Sequence, residues 1–154
     1  MSKKKKIKAW EQHYANAKEK EFYSTRRIDL LIISISGACI YIVFEILRFI
    51  NSEGSKITGT PTILLKLSAI LAVCAIIVNI FSQYWGFLAN GYEARYSRAV
   101  INQIEENKDD NNELEVLDRK SRIYSFWTSL SNKVSIGLML VGIVILVIYN
   151  FVTF

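Results

Sequence analysis

The 154-residue chain is 51% hydrophobic and carries a formal net charge of +5. Its apolar residues gather in three blocks, about 28–50, 62–85 and 134–154, each reaching the roughly 20 residues that cross ~30 Å of hydrocarbon at ~1.5 Å per residue. A soluble domain of this size rarely holds three such blocks, so the pattern excludes that class and predicts an all-α integral membrane protein.

The chain opens MSKKKKIKAW. The basic run resembles a signal-peptide n-region, but the first apolar block begins only at Ile28, is too long for an h-region and lacks an A-x-A-like site. It reads as a retained anchor. Beside a membrane span, the lysine run is a topology determinant before it is a nucleic-acid patch, and no specific nucleic-acid partner is expected. Nine Lys and Arg residues precede the first block, Lys56 alone lies in the 51–61 loop, and seven lie in 86–133. By the positive-inside rule the N-terminus and the 86–133 segment are cytoplasmic, with the 51–61 loop and the C-terminus outside. The same charge can meet anionic headgroups at the cytoplasmic face.

Residues 1–27 predict a basic cytoplasmic helix, since about Ile7 to Arg27 contains no Gly or Pro and is rich in Ala, Lys, Glu and Gln. Trp10, Tyr14 and Ala17 recur at helical spacing. Their narrow, charge-broken face suits packing on other cytoplasmic helices better than lying on the bilayer. The first span, 28–50, ends in YIVFEILRFI, which places Glu45 and Arg48 one turn apart in the apolar block. The 51–61 loop, rich in turn residues, predicts an antiparallel hairpin, with Pro61 at the first turn of the next helix.

The second span, 62–85, carries Lys66 near its outer end and Asn79 deep inside. Glu45 is the harder residue to place in lipid, because Arg48 and Lys66 can snorkel to the interface. It either pairs with Arg48 or Lys66 to fix the hairpin or faces a polar ring in an oligomeric pore. Asn79 is a second buried polar candidate, able to hydrogen-bond across helices.

Segment 86–133 predicts a cytoplasmic helical hairpin. Tyr84, Leu88, Tyr92, Tyr96, Ala99 and Ile104 keep helical spacing, and helix is expected to about Asn107. Gly86 and Gly91 mark a bend or a close approach by another helix. KDDNN makes the turn, and Asn112 with Glu115 fits an N-cap and its partner. Leu114, Leu117, Ser121, Tyr124, Thr128 and Ser131 then alternate steps of three and four. No breaker separates them from the third span, 134–154, in which Ser135, Gly137 and Gly142 offer a small-residue packing face. Aromatic residues mark the inner boundary of all three spans: Phe22 and Tyr23, Tyr84 and Trp85, Phe126 and Trp127. The expected architecture is three long transmembrane helices extended into the cytoplasm as a helical bundle.

No catalytic motif is present: no Gly-rich phosphate loop, paired-Cys motif, HExxH or GxSxG. His13 is the single histidine, and Cys39 and Cys74 sit mid-span as small packing residues. No metal, cofactor or enzymatic activity is therefore expected. The carboxylates from Glu105 to Glu115 form a solvated hairpin tip, which can also meet a basic partner.

The run EQHYANAKEKEFYSTRRIDLL leading into a membrane hairpin, followed by FLANGYEARYSRAVINQIEE, resembles the SLATT family of bacterial membrane effectors over about residues 10–107. The resemblance implies a bacterial cytoplasmic-membrane protein of phage-defence or nucleotide-signalling operons that disrupts the membrane or forms pores. The third span is an addition to that family's two-span pattern. The expectation is an oligomer that perturbs the bilayer on a cytoplasmic signal, with copies joined through the third span and the cytoplasmic helices. Its alternative is a noncatalytic scaffold that recruits a cytoplasmic protein. Trp10, Tyr14, Tyr92, Tyr96 and Tyr124 are the candidate contacts to a partner or second copy.

Overall fold

A computed structural model describes residues 3–51, 62–106 and 111–153. They form three helices: α1 (Lys3–Ile50, 48 residues), α2 (Thr62–Glu106, 45 residues) and α3 (Asn111–Thr153, 43 residues). The absence of internal Pro lets each run unbroken, and Gly86 and Gly91 are absorbed within α2. At the end of α1 the Asn51 amide still donates to the Leu47 carbonyl at 3.1 Å. Helix α3 starts at Asn111, so Asn112 lies inside the first turn and not at the N-cap. Pro61 and residues 107–110 lie outside the described residues, and Asn111 and Asn112 of the expected KDDNN turn belong to α3.

The helices divide into two compact units. One comprises Ile28–Ile80 with Ser131–Phe154, and the other Met1–Arg27 with Phe81–Leu130. Each helix is long and apolar enough to cross a membrane.

In the first of these units the buried faces follow a heptad. On α1 they are Asp29, Ile32, Ser36, Cys39 and Val43; on α2, Leu65, Ser68, Ala72, Ala75 and Asn79; on α3, Ser135, Gly142, Leu146 and Tyr149. Alternating steps of three and four keep one stripe of each helix facing its neighbours, as in knobs-into-holes packing. The stripe is mostly small or polar, whereas Leu30, Leu31, Phe44, Ile63, Ile70, Ile77, Val144, Ile148 and Phe151 are exposed. Only 22, 28 and 17% of the most apolar window of each helix is buried inside the protein. This distribution inverts that of a water-soluble bundle, where Leu and Ile fill the seam. Lipid removes the hydrophobic drive between helices, so close van der Waals contact and cross-helix hydrogen bonds hold them instead.

Those bonds are present between α2 and α3. Ser68 Oγ donates to the Gly142 carbonyl at 2.8 Å, and one heptad away Ser135 Oγ donates to the Ala75 carbonyl at 2.9 Å. Each bond of this kind stabilises by about 0.6 kcal/mol in a membrane. At Gly142 the backbones of α2 and α3 come close: a Cβ there would lie 3.4 Å from the Ser68 carbonyl oxygen and 3.5 Å from Leu71 Cβ. Gly137 is exposed, with nothing within 4 Å of such a Cβ. The predicted small-residue face therefore holds for Ser135 and Gly142 only, since Gly137 is five residues from Gly142 and off the heptad.

The second unit uses the same devices. Ser82 Oγ donates to the Thr128 carbonyl at 3.0 Å. A Cβ at Gly86 would meet Thr128 Cγ2 at 3.5 Å, whereas Gly91 has open space. Gly86 thus marks a close approach, and Gly91 does not. Ala89, Ser97 and Ser121 are buried there, while Tyr84 is exposed.

Candidate functional site

The inverted distribution of polar and apolar side chains, on three helices able to span a bilayer, defines a multi-pass all-α membrane protein. Its candidate site is the set of ionisable and amide side chains that the apolar segments carry, because each is costly in hydrocarbon unless paired or hydrated.

Glu45 and Arg48 lie on the outward face of α1. The Arg48 Nη1–Glu45 Oε1 distance is 4.0 Å, and their side chains are 83 and 50% exposed respectively. This is the one-turn pair that their spacing predicts, at its outer distance limit. A loose, exposed pair contributes well under about 1 kcal/mol. Lys66 is also exposed, and no ion pair joins it to Glu45 among the described residues. The proposed Glu45–Lys66 clasp across the hairpin is thus not formed, and neither residue sits in the core of the unit.

Asn79 occupies the opposite situation. Its side chain is 0% exposed, on the inward heptad of α2. Its carboxamide faces the Asp29 carboxyl of α1, itself 7% exposed. The amide and the carboxyl interact across the helices through a poorly formed hydrogen bond, which leaves Asp29 Oδ1, Asn79 Oδ1 and Asn79 Nδ2 without a partner in good geometry. Ser36, one heptad beyond Asp29 and 0% exposed, adds an unpartnered Oγ to the same face. Asn79 thus meets a side chain across the helices, as expected of it, and that partner is a buried carboxyl. Asp29 went unrecognised in the sequence because it lies at the border of the first block, where a charge is unremarkable. Its heptad relation to Ser36 and Val43 was the available signal.

The other end of the same core is apolar. Val43, Leu65, Leu146 and Tyr149 cluster with Cys39 and Ala72. Cys39 Sγ meets Ser68 Oγ at 3.5 Å, and Cys39 and Cys74 are both free thiols.

The aromatic candidates of α2 and α3 make contacts within the chain. Tyr124 of α3 stacks between two rings of α2, with centroids 5.7 Å from Trp85 and 5.4 Å from Tyr92. Arg95 and Lys120 lie 5.6 and 5.3 Å from the Tyr92 centroid, so the ring also accepts cation–π contacts. Ser121 Oγ, one residue from Lys120, donates to Glu93 Oε2 at 2.9 Å. Tyr92 and Tyr124 thus spend their faces joining α2 to α3. Tyr96 is partly buried beside Arg122, whose guanidinium binds Asp118 Oδ2 at 2.9 Å and is held above its ordinary pKa by that contact. The side chains of Trp10, Tyr14, Phe22 and Tyr23 lie outside the described residues. At the proposed aromatic boundary of the other two helices, Tyr84 packs edge-on to Trp85 and Phe126 edge-on to Trp127.

Comparison with protein families, characterised proteins and solved structures finds no match to this chain.

Proposed function

We propose that this protein is a non-enzymatic, oligomeric effector of a bacterial cytoplasmic membrane, which perturbs or permeabilises the bilayer on a cytoplasmic signal. The resemblance to SLATT effectors supports this reading and suggests a role in phage defence. The distribution of nine, one and seven basic residues over the successive non-apolar segments supports a cytoplasmic N-terminus.

The observation that carries the proposal is the outward position of Glu45. A half-exposed carboxylate in an apolar span, with only a 4.0 Å contact to Arg48, is costly against lipid and far less so against water or a second subunit. The seam of a single copy is closed, with Val43, Leu65, Leu146 and Tyr149 buried among small side chains and α2 close to α3 at Gly142, so an aqueous path would run between copies with Glu45 along it.

The test is dye release from liposomes of mixed neutral and anionic lipid, together with membrane potential in cells expressing the protein and its cytoplasmic signal. The wild type collapses the potential, and Glu45→Gln and Lys66→Ala each change ion selectivity or lower leakage. An intact potential under activating conditions overturns the reading.

A scaffold role is the second reading. It is favoured by Val116 and Ile123, apolar and exposed one heptad apart on α3. It predicts a stoichiometric complex with a cytoplasmic protein whose activity survives Glu45→Gln and Lys66→Ala.

A further inference from the structure

We propose that Asp29 carries a proton in the folded bundle, and that the neutral acid and Asn79 form a proton-dependent latch between α1 and α2, independently of whether the protein permeabilises membranes. The two side chains belong to different helices of one compact unit and are 7 and 0% exposed. They meet, yet Asp29 Oδ1 and both side-chain heteroatoms of Asn79 have no partner in good geometry. The next inward residues, Ile32 on α1 and Ala75 on α2, are apolar. In the described part of this unit α2 carries one charged residue, Lys66, and α3 carries one, Lys133, and both are exposed. Glu45 and Arg48 contact each other farther along α1. Arg26, one turn ahead of Asp29, is exposed. The one titratable side chain on the inward faces of α2 and α3 is Tyr149, which lies in the apolar cluster at the other end. What acts on Asp29 is burial and the Asn79 side chain.

A buried carboxylate without a counter-charge is costly, and a single neutral amide does not compensate it. The acid form removes that cost and also completes the hydrogen bonding. Its O–H donates to the Asn79 carbonyl oxygen, and its own carbonyl oxygen accepts from the Asn79 amide, once the two groups turn into one plane. Asn79 is the positioning residue of the latch, since it supplies both the acceptor and the donor. Ionisation removes the acid's donor and leaves the Asn79 oxygen facing an anion, which draws water into the seam or moves α1 off α2. The folded chain thus holds a proton that the unfolded chain releases, so stability falls as pH rises.

The experiment is infrared spectroscopy and thermal unfolding of the purified full-length chain in detergent. At neutral pH the wild type shows the carbonyl stretch of a protonated carboxylic acid, and Asp29→Asn lacks it. Asn79→Leu keeps this band and moves it to higher frequency, because the acid loses its partner. Between roughly pH 5 and 7 the wild type loses about 4 °C of Tm per pH unit relative to Asp29→Asn, whose carboxamide keeps the pairing without a proton. If Asp29→Asn fails to fold, the band shift in Asn79→Leu decides. A wild type without the band at neutral pH, or a band that the substitutions leave unaltered, overturns the latch. So does a Tm–pH profile common to the wild type and Asp29→Asn.

Discussion

Replacing Gly142 by Leu is expected to destabilise the bundle by about 3 kcal/mol, the upper end of the cost of overpacking. Even a Cβ at this position would sit 3.4 Å from the Ser68 carbonyl and 3.5 Å from Leu71 Cβ, so a branched side chain must push α2 and α3 apart. Separation also breaks the 2.8 Å Ser68–Gly142 bond, adding about 0.6 kcal/mol. For a chain of this length the loss lowers Tm by roughly 6–12 °C in detergent. Gly137→Leu is the internal control. It is one and a half turns away on the same helix, with open space around its Cβ, and should stay within about 0.5 kcal/mol of wild type. Equal effects at the two glycines would contradict the close approach of α2 and α3 at Gly142.

Tyr124→Ala is expected to cost about 2–3 kcal/mol. It removes a ring stacked on both Trp85 and Tyr92, and aromatic pairs contribute about 0.5–1.5 kcal/mol each beyond the area they bury. Partial exposure of Tyr124 keeps the total below that of a fully buried aromatic. Tyr124→Phe retains both stacks and should leave Tm nearly unchanged. Trp85 loses its stacking partner in the alanine variant, so the fluorescence emission should shift to the red with the loss of stability. Normal stability of Tyr124→Ala would mean that the stack does not join the two helices.

The helices and their apolar segments were legible in the sequence because each carries a long hydropathy signal and Gly, Pro and Asn punctuate the junctions. The interior of the bundle was less so. Ser36, Ser68 and Ser82 look like interruptions of an apolar run when hydropathy is averaged, yet they are the seam, since lipid leaves the large apolar residues outside. On α3 the three-and-four step through Ser121, Tyr124 and Thr128 did point to the packed face, and Ser135 and Gly142 extend it. Asp29 was hidden by its place at a block border. The aromatic residues show a different limit. Tyr92 and Tyr124 are spaced well for docking a partner, and only the register of α2 against α3 reveals that they dock on each other. Glu45 stood out as a charge inside an apolar block, and it is exposed at 4.0 Å from Arg48, but its pairing with Lys66 required a hairpin geometry that spacing does not fix.

That the bundle stands in a bilayer with its small, polar seam inward is tested most directly by spin labels along α2 in liposomes. Single cysteines are placed at Ile70, Ala72, Ala75, Ile77 and Asn79 in a chain whose native Cys39 and Cys74 have been replaced. Oxygen, which concentrates in lipid, should quench strongly at Ile70 and Ile77, which are 57 and 48% exposed, and weakly at Ala72, Ala75 and Asn79, which are at most 2% exposed. A water-soluble paramagnetic reagent should reach none of the five. Strong access of that reagent to Ile70 and Ile77, or oxygen access without this alternation, would contradict the account.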